Sequence, residues 1–210
     1  MRIGIVGTGK MATGLAKGWL KAGHTITFGS RDPKSRAIEM QRVVGPQVRV
    51  ALQKECLADA EVVLITLPYT QVVPFAKQFS EQLKRKVVID ISNPFEALPD
   101  NRISGAEQTS KAIGEGARVV AAFKTNYAGI LTQPVDAGGV QRDVFYCGDD
   151  PAAKDVAKRL IEALGFRAVD CGPLHSAGVL DPMVPLMIEL DRKLGGQGST
   201  RRGHWKFMTP

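Results

Sequence analysis

The first 32 residues constrain this chain more than any other part. Ile3, Ile5 and Val6 follow a buried-strand pattern, Gly7-Thr8-Gly9-Lys10-Met11-Ala12-Thr13-Gly14 makes a turn, and an amphipathic helix leads to Thr25-Ile26-Thr27-Phe28-Gly29-Ser30-Arg31-Asp32. Glycine triplets occur by chance, but here each glycine falls where a strand, turn and helix that hold a dinucleotide would need it. Gly7 closes the strand tightly, Gly9 leaves no side chain between backbone and pyrophosphate, and Ala12 is small enough at the third position for close helix–strand packing. Free N–H groups and the partial positive charge at the helix start then form an anion site.

The end of the second strand selects the cofactor. A carboxylate there would bind the ribose 2′-hydroxyl of NAD and repel a 2′-phosphate. This chain has Gly29-Ser30-Arg31 instead, and a hydroxyl beside a guanidinium suits a phosphate. Thr8, Lys34 and Arg36 could add contacts, so NADP(H) is expected over NAD. Asp32 dissents, because NAD would be preferred if its carboxylate faced the ribose. Asp32-Pro33 also reads as a helix N-cap and first helical position. Both readings can hold together.

With 210 residues and 44% hydrophobic content, the chain can bury one substantial core plus a short appendage. The net charge of +7 raises nucleic acid as a partner. Yet Lys and Arg are scattered at helical spacing without an aromatic-studded basic strand, and a rim around an anionic cofactor explains the balance as well. Cys56, Cys147 and Cys171 are far apart, with no ligand-spaced His nearby, so no metal is expected and a reduced cytoplasmic setting is. His24, His175 and His204 are isolated. The sequence contains no run long enough for a membrane span and no signal peptide ahead of the first strand.

Strand-like runs recur at 61–66, 86–91, 118–122, 144–147 and 168–171, with helical patterns at 72–83, 107–115 and 152–164 between them. That alternation predicts an α/β fold, a doubly wound and mostly parallel sheet of the Rossmann type. Ligands of such sheets bind beyond the carboxyl ends of the strands. There the chain places Thr66-Leu67-Pro68-Tyr69, Ser92-Asn93-Pro94 and Phe123-Lys124-Thr125-Asn126-Tyr127. A helical pattern over 177–194 is apolar on too many sides for a lone surface helix, which suits either plain core or packing on a second subunit. The tail 195–200 reads as flexible, and Trp205 and Phe207 beyond it read as anchors. Residues 1–172 are read as the cofactor domain and 173–210 as a short helical C-terminal extension for dimerisation and the second substrate.

These motifs, with Ala122 to Gly129, Tyr146-Cys147-Gly148-Asp149-Asp150 and Asp170-Cys171-Gly172-Pro173-Leu174, resemble the NADPH:coenzyme F420 oxidoreductase family over nearly the whole chain. That fold also resembles the cytosolic domain of the STEAP ferric reductases. The resemblance implies hydride transfer between the nicotinamide and a deazaflavin, in a homodimer joined partly through the C-terminal segment. It implies that Thr8, Ser30 and Arg31 take the 2′-phosphate, that Gly9, Lys10 and Met11 cradle the pyrophosphate, and that Thr66, Leu67, Pro68 and Asn93 line the cofactor cleft. Lys124, Thr125 and Asn126 are then the catalytic candidates bordering the two rings. Such transfer needs stacking and exclusion of water more than an acid or base.

The chain departs from the family pattern in two places. Lys124 stands where relatives carry Asn or His, and it could hold an acidic partner, polarise a carbonyl or reach solvent. The stretch from Phe95 and Glu96 to Asn101 also differs, which leaves a flavin or another small-molecule hydride acceptor open. A hydroxyacid- or pyrroline-carboxylate-type reductase would need a large helical domain that the residues after Gly172 cannot supply. A non-catalytic NADP(H)-binding sensor or regulatory module needs the same glycine turn and no reaction.

Overall fold

Strands that are apolar on both faces must lie between layers of helix, and the computed structural model, which describes residues 1–94, 103–196 and 203–208, is built that way. Strand β1 (Arg2–Val6) passes through the glycine turn into helix α1 (Lys10–Lys21) and returns as β2 (Thr25–Ser30). Next come α2 (Pro33–Val43), β3 (Arg49–Leu52), α3 (Gln53–Asp59), β4 (Val62–Ile65), α4 (Tyr69–Gln78), α5 (Ser80–Leu83) and β5 (Val87–Asp90). Then follow α6 (Gly105–Ile113), β6 (Arg118–Ala122), β7 (Asp143–Gly148), α7 (Pro151–Glu162), β8 (Arg167–Asp170) and α8 (Ala177–Lys193).

One sheet of eight strands results, in the order β3-β2-β1-β4-β5-β6-β7-β8. Strand order reverses between β1 and β4, which opens the crevice where doubly wound sheets bind ligands. Ile3, Ile5, Val62 and Leu64 point into a layer with Leu15, Trp19 and Leu160. Val6, Val63 and Ile65 point the other way, to Leu57, Val72, Phe75 and Leu180. Trp19 is fully buried and its indole N–H donates to the Leu160 carbonyl at 2.9 Å, so the largest core residue carries no unpaired polar atom.

The fold class follows the expectation, with local differences that have physical reasons. β6 and β7 pair antiparallel whereas the other neighbours are parallel. A parallel return needs a long crossover, usually a helix. Residues 123–142 hold a 3-10 turn at Ala128–Ile130 and no α-helix. The pattern at 72–83 splits into α4 and α5 at Phe79, whose φ of −113° and ψ of 23° leave helical geometry and whose ring packs on Phe75 at 5.0 Å. β3 and α3 have no counterpart in the sequence reading. β3 is an edge strand with Arg49 and Leu52 exposed, so its alternation is too weak to recognise.

At the carboxyl end, Trp205 is half-buried and donates from its indole to the Met183 carbonyl at 3.4 Å. Phe207 is anchored differently from the expectation. The residue is 56% exposed, and its main-chain N–H is what docks, donating to Asp143 at 2.8 Å. The expectations for the loop from Phe95 and Glu96 to Asn101 and for residues 197–202 lie outside the described residues.

Candidate active site

Gly7 has a φ of +116°, and a Cβ there would come within 2.2 Å of Thr66 Oγ1. No other residue fits, because both the backbone angle and the space exclude a side chain. Thr66 in turn donates its hydroxyl to the Val6 carbonyl at 2.9 Å, which ties the ends of β1 and β4 together beneath the turn. Gly9 is the N-cap of α1, with no side chain capping the helix and nothing within 4 Å of where a Cβ would stand. The first-turn N–H groups therefore face open space, as an anion site requires.

α2 begins differently. The Asp32 carboxylate accepts from the Ser35 N–H at 3.3 Å, and the Ser30 hydroxyl accepts from the Asp32 N–H at 3.1 Å. The carboxylate that argued for NAD is thus engaged as a helix cap, while the exposed Arg31 lies at the mouth of the same cleft.

That cleft encloses about 1060 Å³, room for an extended cofactor. It runs from Ser30, Arg31 and Arg36 past Gly7, Thr8, Gly9 and Met11 to Thr66, Leu67, Pro68, Asn93, Lys124 and Asn126. Four expected residues sit elsewhere. Ala12 is fully buried in the core, as its packing role requires. Lys10 is exposed and Lys34 is too, and neither lines the cleft. Thr125 is buried behind the lining.

The inner end of the cleft is dense with polar contacts. Asn93 donates from Nδ2 to the Lys124 carbonyl at 2.9 Å, and Asn126 donates from Nδ2 to the Asp143 carbonyl at 3.0 Å. The amide oxygens of both are buried with no hydrogen-bond partner among the described residues. Buried acceptors of this kind call for a donor from elsewhere. Phe123 holds the turn with a φ of 56°, a conformation rare for a bulky residue, and packs edge-on to Trp19 with centroids 6.3 Å apart.

Of the three fates open to Lys124, the structure selects an acidic partner. Its Nζ lies 2.8 Å from Asp181 Oδ1 on α8, with neither side chain exposed. It also donates to the Ser92 carbonyl. Asp90 beneath accepts from the Ser92 N–H at 2.8 Å and from the Thr109 hydroxyl at 2.6 Å. Burial, then the charges of Asp181 and Asp90, push the Tyr69 phenol upward, so it stays protonated in the cleft wall.

Sequence reasoning missed the far wall. Val184, Met187 and Ile188 of α8 line the cleft, as does Gln53 of α3, while Tyr69 of α4 lines it as its place after β4 implies. Asp181 was findable as the lone acid in the apolar first half of α8. Among the described residues the lining contains no His, Cys or Glu. Burial pushes Cys56 and Cys147 up to about 12, which makes both inert as nucleophiles at neutral pH. Among the described residues, no cluster of three or more His, Cys, Asp or Glu is placed to hold a metal, and no helix is long and apolar enough to cross a membrane.

Comparison with known proteins agrees with this geometry. The family described as NADP oxidoreductase coenzyme F420-dependent matches residues 2–94. The F420-dependent NADP reductase of Methanothermobacter marburgensis is 32% identical, over 92% of this chain and 93% of its own. The metalloreductase STEAP3 of Rattus norvegicus is 29% identical over 89% of this chain, which corresponds to 37% of that protein. The crystal structure of a candidate F420-dependent NADP reductase from Arthrobacter sp. FB24 superposes with a TM-score of 0.83 at 28% identity, covering 93% of this chain and 95% of its own. By its turn, its sheet and its similarity over nearly the full length, the chain belongs to the F420-dependent NADP reductase family.

Proposed function

We propose that the protein transfers a hydride between NADP(H) and a deazaflavin of the coenzyme F420 type. The observation that carries this reading is one continuous cleft, polar and cationic at Ser30 and Arg31, uncapped at the start of α1, and closed at its inner end by buried amides and the apolar face of α8. Thr8, Ser30 and Arg31 bind the 2′-phosphate. Gly9 and the first turn of α1, with Met11 and the main chain of Lys10, bind the pyrophosphate. Thr66, Leu67, Pro68 and Asn93 form the floor beneath the nicotinamide. The unpartnered oxygens of Asn93 and Asn126 suit the N–H donors of a carboxamide or a pyrimidine ring edge.

The nicotinamide supplies the hydride chemistry, and the chain's own residues orient and dry the site. Lys124 and Asn126 border the reacting rings with Thr125 packed behind them, and Val184, Met187 and Ile188 exclude water. No proton carrier is required for the hydride itself, which fits a lining without His, Cys or Glu among the described residues. Residues 1–172 then serve as the cofactor domain and 173–210 as the side facing the second substrate. The exposed Val179, Leu186 and Leu190 of α8 supply the face for a homodimer, and a cytoplasmic setting suits the free thiols.

NADPH oxidation by purified protein, followed with coenzyme F420, FMN, FAD and ferric chelates in parallel, tests the reading. Turnover with F420 well above the other acceptors is expected. Tight NADPH binding without oxidation by any acceptor would make the protein a cofactor sensor instead.

A further inference from the structure

α8 is held over the cleft by a charge that no sequence motif marks. Asp181 meets Lys124 through Oδ1 at 2.8 Å and accepts from the Gly105 N–H through Oδ2 at 3.0 Å. Lys124 carries the link onward to the Ser92 carbonyl. The end of β5, the turn after β6 and the start of α6 thus converge on one carboxylate of α8. A Cβ at Gly105 would stand 3.0 Å from the Tyr69 ring, so the start of α6 lies close against α4 where it meets Asp181.

A buried ion pair adds little net stability over well-packed apolar side chains. Fixed donors and acceptors do, however, define a single rotational setting for the helix. Val184, Met187 and Ile188 follow Asp181 on α8 and line the cleft. A slip of one residue would turn them by about 100° away from it. The same Lys124 belongs to the turn in which Phe123 and Asn126 also line the cleft, so one pair sets both walls of the inner end. Asp181 itself does not line the cleft, and its carboxylate is occupied by Lys124 and Gly105.

We infer, resting on the cofactor reading above, that Asp181 is a positioning residue for hydride transfer, which orders the nicotinamide half of NADP(H) by locking α8 and the 123–126 turn together through Lys124 and Gly105. The adenosine half needs none of these contacts, because Ser30, Arg31 and Gly9 stand at the ends of β2 and β1.

Calorimetry with NADP⁺ and with 2′-phospho-ADP-ribose, which lacks the nicotinamide, separates the two halves. The proteins compared are wild type, Asp181→Asn and the double variant Lys124→Met/Asp181→Leu, with thermal melting as a separate measure of folding. The double variant removes both charges and is expected to remain folded; it tests the pair as a unit if Asp181→Asn does not fold. The variants should bind the fragment within about twofold of wild type and lose about tenfold for NADP⁺, a change of about 1.4 kcal/mol. A wild-type ratio of the two affinities in the double variant, or equal losses for both ligands, would overturn the inference. Equal affinity of the wild-type protein for NADP⁺ and the fragment would overturn this inference alone, whereas binding of neither would overturn the cofactor reading and this inference with it.

Discussion

The two ends of the cleft are built on opposite principles. At the outer end the cleft offers main-chain N–H groups at an uncapped helix start and an exposed guanidinium, all within Gly7 to Arg36. At the inner end, residues 92, 105, 124 and 181 are joined by hydrogen bonds and a fully buried ion pair. The outer end is local and tolerant, since water can replace any one contact. The inner end is long-range and unforgiving, because each partner removed leaves a buried charge or donor behind.

Substitutions should separate the ends by kind and by size. Lys124→Ala strands Asp181 without its cation, and a loss of about 3 to 5 kcal/mol in denaturant unfolding is expected. A loss below about 1 kcal/mol, the scale of exposed pairs, would place the pair in effect at the surface and erase the contrast. Arg31→Ala should leave stability unchanged while weakening NADPH binding about tenfold to a hundredfold and NADH binding hardly at all, on the scale of charged hydrogen bonds. Equal losses for both cofactors would contradict the 2′-phosphate role. Asp32→Ala removes the cap of α2 and should cost about 1 kcal/mol of stability, with preference for NADPH retained. A switch in cofactor preference would return Asp32 to the ribose.

The mildest test concerns the brace behind the inner end, where Asp143 takes Arg167, Lys206 and the Phe207 N–H. Burial raises its carboxyl, but Arg167, Lys206 and Phe207 outweigh burial and hold it below the ordinary carboxylate value. Its contribution is therefore complete above the unfolded value of about 4 and lost as pH falls through the lower folded value. Acid titration should loosen residues 203–208 first, seen as a shift of Trp205 emission before global unfolding. Coincident transitions would mean the brace is not separable from the core.

The same contrast explains what was legible in the sequence. Gly7, Gly9, Ser30, Arg31 and the strand runs announce themselves because each acts through its own backbone or its immediate neighbours. Asp181 stands 57 positions after Lys124 and 76 after Gly105, separations no local pattern encodes. β3 and α3 were hidden for another reason. An edge strand with half its residues exposed has little alternation to read, and Gln53 in the cleft wall was lost with it. The apolar excess of α8 was legible, but its inward use by Val184, Met187 and Ile188 depended on where Asp181 pins the helix.

Direct hydride transfer tests the account most plainly. Purified protein given NADPH with deuterium at both C4 positions and oxidised coenzyme F420 should yield reduced F420 carrying one deuterium at C5, detected by mass spectrometry, with the label absent from solvent. NADPH consumption without label in the deazaflavin, or no consumption at all, would contradict it.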